Sequence, residues 1–167
     1  MKKKILSILL IAINVLSISS CKDDDDNRPY YYDNTAACIS IKISDAQSNI
    51  VNDSTRIAQL TGYDPDIYFN HLRYSDEPID RIDIIKDDGQ WYYAVFLNEM
   101  QTNKYNSDGT KTLKGTIKIG NTSYTLEEHR MINRYYAETQ SLKVNGKFLT
   151  NEHPEKNSVY YITLMYQ

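Results

Sequence analysis

The chain has 167 residues, with 19 Lys and Arg against 22 Asp and Glu and a formal charge of −3. That length suits one domain around a single core, and an acidic, evenly mixed balance argues against binding a phosphate backbone, which needs clustered Lys and Arg. Nucleic acid is therefore not an expected partner. Tyrosine is the outlier in composition, with 15 copies against three Phe and one Trp. It combines strand propensity with an amphipathic ring suited to half-buried sheet positions.

Lys2, Lys3 and Lys4 lead into an apolar run over residues 5–18, interrupted by Ser7, Asn14 and Ser17. A charged n-region joined to an h-region of this length reads as a signal peptide, and it falls short of the roughly 20 residues that cross a bilayer. The run ends at Ile18-Ser19-Ser20-Cys21, followed by Lys22 and Asp23 through Asp26. The aspartates repel one another and keep this stretch extended and solvated.

Ile18-Ser19-Ser20-Cys21 resembles a bacterial lipobox, with isoleucine where leucine is commoner. Lys22 and the four aspartates resemble the acidic export tag of small Bacteroidetes-type surface lipoproteins. The resemblance covers the signal, the tether and the first strand, and it brings no functional residues with it. It implies cleavage before Cys21, lipid attachment including palmitate at Cys21, and an outer-membrane protein that faces outward and is anchored without spanning. The charged tether by itself would serve equally well facing the periplasm. The expected organisation is a signal at 1–20, a tether at 21–33 and one β domain at 34–167. Loss of three lysines with the signal takes the charge from −3 to −6. Cys38 is then the only other cysteine, expected as a small buried hydrophobe rather than a disulfide partner.

Within the domain, Cys38 opens an alternating run over residues 38–44, with Ile39, Ile41 and Ile43 on one face, the signature of a strand. Residues 45–49 form a turn. Residues 50–66 read as loop with at most a short helical turn capped by Asp53, because Thr55, Gly62 and Pro65 oppose a long helix. Residues 67–74 regain strand character. A hairpin follows: a strand at 79–85, a turn carrying Asp88-Gly89, and a return strand at 91–97 with large side chains on both faces, expected to be central. Residues 98–112 read as a connection whose NSDG closes a hairpin with 113–119, where Gly115 marks a bulge or a close approach. A strand begins after Gly120-Asn121-Thr122, and residues 128–138 fit a short helix or a strand equally well. Asn145-Gly146 predicts a type I′ hairpin, and 158–166 a terminal strand. The expected fold is all-β, an antiparallel β-sandwich of immunoglobulin-like or transthyretin-like type with at most one short helix.

Motifs for chemistry are sparse. His71, His129 and His153 stand alone in sequence, without the paired spacing of zinc sites, so no metal site is expected from them. Asp64, Asp66, Asp76, Glu77, Asp80 and Asp83 supply oxygen ligands of the kind Ca²⁺ needs, but in no EF-hand spacing; calcium is the one cofactor left open. No nucleophile elbow or phosphate loop is present, and no catalytic residue is assigned. The aromatic doublets carry the leading functional reading. Trp91, Tyr92 and Tyr93, Tyr135 and Tyr136, and Tyr160 and Tyr161 would each send one ring to either face of a strand. The outward rings would form a platform on which a glycan or a protein partner stacks. The leading expectation is a surface-anchored, non-catalytic binding module. The alternatives are a structural accessory of an outer-membrane or appendage assembly, joined through an uncovered edge strand, and a small periplasmic enzyme.

Overall fold

A computed structural model describes residues 37–64, 78–132, 136–156 and 158–167. Cys21, the tether, His71, Tyr135 and the strand expected at 67–74 lie outside the described residues. The described elements are β1 (Cys38–Ser44), α1 (Ser54–Thr61), β2 (Ile79–Asp87), β3 (Gln90–Leu97), a 3-10 turn (Glu99–Gln101), β4 (Thr110–Ile119), β5 (Thr122–Ile132), β6 (Ala137–Val144), β7 (Lys147–Leu149) and β8 (Val159–Met165). They form two four-stranded sheets, β2-β3-β1-β8 and β4-β5-β6-β7, packed as a sandwich.

The core follows from the period of two. Ile39, Ile41 and Ile43 of β1, with Tyr93, Val95 and Leu97 of β3, face Leu113, Ile117 and Ile119 of β4 and Leu126 of β5. As expected, β3 lies inside its sheet, beside β1. The Asp-Gly and Asn-Gly hairpins close as predicted. Asp88 and Gly89 have φ of 48° and 79°, and Asn145 and Gly146 have φ of 50° and 78°, the pair of left-handed conformations that a type I′ turn requires.

Three elements depart from the sequence reading, and one that it left open is resolved. Residues 54–61 form two turns of helix rather than loop. Asp53 accepts from the Arg56 N–H at 2.6 Å, and Gly62 at φ 68° ends the helix, so good caps outweigh the poor propensity of Thr55. Residues 128–132 continue β5 as strand. The NSDG turn feeds β4, whose described partner is β5, and so does not close a hairpin. Finally, β8 pairs with β1 in parallel, Ile39 opposite Tyr160 and Ile43 opposite Leu164, while every other described ladder is antiparallel.

One end of the sandwich is where the chain enters at Ala37. The Cys38 N–H donates to the Ser158 carbonyl at 3.1 Å, and Ile39 lies opposite Val95 near the end of β3. In the second sheet, Thr110 opposite Met131 and Ile132 opposite Ala137 gather the start of β4, the end of β5 and the start of β6. Arg130 of β5 reaches across to the Leu97 carbonyl of β3 at 3.1 Å, so both sets of strand ends lie at this entry end.

Candidate functional site

The aromatic residues separate by strand phase. Trp91, Tyr93 and Tyr160 turn inward and pack in or against the core, where the Tyr160 hydroxyl donates to the Leu149 carbonyl at 2.7 Å and ties the two sheets together. Tyr92 and Tyr161 turn outward on the first sheet, as the alternation predicts. They are not open to solvent: their exposures are 4% and 3%. The expected stacking platform is therefore corrected for these two rings. Between them in the sheet lies β1, whose outward side chains Cys38 and Ser40 are small and fully buried. The rings lean over that shallow track and meet edge to face at 5.3 Å. Cys38, Ile85, Ala94 and Phe96 complete this second apolar cluster, and the Arg81 guanidinium lies 3.9 Å above the Phe96 ring. Tyr136 is the one described ring of the seven that is well exposed, at 43%.

A polar cap sits over Tyr161. Its hydroxyl donates to Asp87 Oδ2 at 2.7 Å, Lys156 bridges Asp87 and Asp88, and the His153 ring stands edge-on at 5.0 Å. Burial, and then the Asp87 carboxylate, push the Tyr161 phenol well above its ordinary range. Burial works to raise the Asp87 carboxyl, but hydrogen bonds from Lys156 and Tyr161 outweigh it and hold the group below its usual value. Each group has its partner, so the cap acts as a clasp joining the loop before β8 to the β2–β3 hairpin.

The two described histidines, His129 and His153, do not converge. His153 lies over the first sheet, while His129 is on the outer face of the second, 3.6 Å from Glu127. Of the acidic region, Asp83 accepts from the Ile84 N–H at 2.8 Å and the Tyr63 hydroxyl at 3.3 Å. Among the described residues no three His, Cys, Asp or Glu side chains gather as metal ligands.

Two features escaped the sequence reading. Leu126, Glu128 and Arg130 share the inward phase of β5, so a carboxylate and a guanidinium occupy core positions. Arg130 forks onto Glu128, also reaches Glu99 at 3.2 Å, and Thr139 donates to Glu128 at 2.5 Å. The β5–β6 register slips beside Arg130, between His129 and Arg130. The second feature is a row across the outer face of the second sheet, where Lys114, Glu127, Lys143 and Phe148 lie side by side on four successive strands. Lys143 and Lys114 contact Glu127 at 2.7 and 3.0 Å and hold its carboxyl down to about 2. Phe148 ends the row 66% exposed, with the Lys143 ammonium 4.9 Å from its ring centre.

The C-terminal edge strand is covered along much of its length. The Asn151 side chain pairs with Tyr161 N–H at 2.9 Å and Val159 carbonyl at 3.3 Å, the Glu152 N–H donates to the Tyr161 carbonyl at 2.9 Å, and the Tyr124 hydroxyl donates to the Met165 carbonyl. A strand added along β8 would have to displace these bonds.

No protein-family model, no curated protein and no solved structure matches the chain. Among the described residues no helix is long and apolar enough to cross a membrane.

Proposed function

We propose that this protein is a lipid-anchored, non-catalytic binding module displayed at the outer-membrane surface, whose ligand is a glycan or a protein. The anchor rests on Ile18-Ser19-Ser20-Cys21 and the acidic tether behind it. The observation that carries the binding half is Phe148: a large ring 66% exposed on a three-residue edge strand, at the end of an outer face of lysine, glutamate and threonine. Isolated exposed apolar residues are ordinary on any surface, but a ring flanked by a cation and an ordered charge row offers both stacking area and polar orientation. The assembly alternative is weakened at β8, because the edge it would use already has partners. Binding of the full chain to a glycan array and to outer-membrane protein fractions tests the reading, with Phe148→Ala expected to lose at least tenfold in affinity for whatever is retained. Ligand binding that is unchanged in Phe148→Ala removes this face from the account.

A further inference from the structure

We propose that the entry end of the sandwich is a membrane-docking surface that lies against the same lipid bilayer that holds Cys21. Three side chains at that end are exposed: Met100 at 78%, Tyr105 at 58% and Tyr136 at 43%. They come from separate segments, the 3-10 turn after β3, the loop before β4 and the start of β6, so their shared location follows from the fold rather than from one apolar stretch of sequence. Tyrosine, like tryptophan, is enriched at the boundary between hydrocarbon and water. Here the Lys111 ammonium lies 5.2 Å from the Tyr105 ring and donates to the Glu99 carbonyl at 3.3 Å, linking the tyrosine to the turn that carries Met100.

That turn is pinned. Asn98 Oδ1 accepts from the Met100 N–H at 2.8 Å, the Gln101 side chain bonds the Pro78 carbonyl at 2.8 Å and the Lys114 N–H at 2.9 Å, and Glu99 receives Arg130. Relaxing the turn to bury Met100 would break those bonds, so the turn keeps the side chain outward.

The occupant follows from where the chain enters. Ala37 lies at this end, and residues 22–36 separate it from Cys21. At up to about 3.6 Å per residue, the link from Cys21 to Ala37 can reach at most about 58 Å, so an acylated Cys21 keeps the entry end within that distance of the bilayer. Tethering turns docking into an intramolecular event at high effective concentration, so three side chains of modest area suffice. Ile50 and Met165 are exposed at the opposite end, at 41% and 43%, but no chain to an anchor leaves from there. Docking would leave Phe148 and the outer face of the second sheet accessible.

The inference rests on the acylated anchor of the preceding subsection. The full chain, with its acyl state read by mass, is reconstituted into phosphatidylethanolamine and phosphatidylglycerol vesicles containing brominated lipid. An environment-sensitive dye is attached at Met100→Cys, or at Asn121→Cys in the turn at the far end. Quenching at position 100 several-fold stronger than at 121 is expected, and it should weaken when Tyr105→Ser is added. Equal quenching at the two positions of an acylated chain overturns the docking and leaves the anchor standing. A mass without acyl groups at Cys21 overturns the anchor, and the docking with it.

Discussion

Arg130 grips Glu128 two residues away on the same face of β5, its Nε 2.9 Å from Oε1 and its Nη2 2.7 Å from Oε2, both side chains shut away from water. Burial works to lower the guanidinium's proton affinity, but the facing carboxylates outweigh it and keep Arg130 charged. Removing one partner leaves an uncompensated buried charge, a loss of about 3–5 kcal/mol. Arg130→Met and Glu128→Leu should each destabilise by about that much in urea denaturation. The double variant should recover most of the loss, because two apolar side chains leave no orphaned charge. A double variant as unstable as the sum of the singles would contradict this.

Gly115 packs directly against the facing sheet. A Cβ there would sit 2.6 Å from Leu97 Cδ2 and 3.3 Å from Ile79 Cγ1. Gly115→Ala should therefore cost about 1–3 kcal/mol through overpacking, even though alanine suits a strand better than glycine. Adding Leu97→Ala to Gly115→Ala should cost less than Leu97→Ala does alone, since the new methyl enters the vacated space. Additive losses in thermal denaturation would remove the close approach as the cause.

Stability should fall on both sides of neutral pH. The Glu127 carboxyl, held at about 2 by Lys143 and Lys114 against an ordinary 4.5, contributes stability that is present above about pH 4.5 and is lost as pH falls toward 2. Tyr161 acts in the opposite sense. Its phenol is raised by burial and by Asp87, so its contribution is full below about pH 10 and is lost as pH climbs beyond it. Urea midpoints measured against pH should show a shallower acid limb in Lys143→Met and a shallower alkaline limb in Tyr161→Phe. Limbs identical to the unmodified protein would disprove both assignments.

Much of the fold was legible because its signals are local. Asp88-Gly89 and Asn145-Gly146 specify their hairpins through backbone conformations few other residues adopt, and the isoleucines of β1 mark a core face without help from other strands. The parallel β1–β8 pair was not legible, since nothing within either strand encodes a partner some 120 residues distant. Residues 128–132 were ambiguous for a different reason. Glu128 and Arg130 break the apolar alternation at inward positions, and their mutual neutralisation appears only once Leu97, Glu99 and Thr139 are brought to them. The outward tyrosines show the same limit. Alternation called for one ring of each doublet to face outward without saying which, and it could not show that the outward pair, Tyr92 and Tyr161, close on each other across β1 beside the small Ser40. The charge row ending at Phe148 depends on the register of four strands, which composition does not reveal.

The most direct test of the account is the state of Cys21 in intact cells. Mature protein should carry acyl groups on an N-terminal Cys21 by mass spectrometry, should be shaved from whole cells by added protease, and should lose both properties in Cys21→Ser. Protein that begins elsewhere, carries no lipid, or resists protease until the outer membrane is broken would contradict a surface-anchored module.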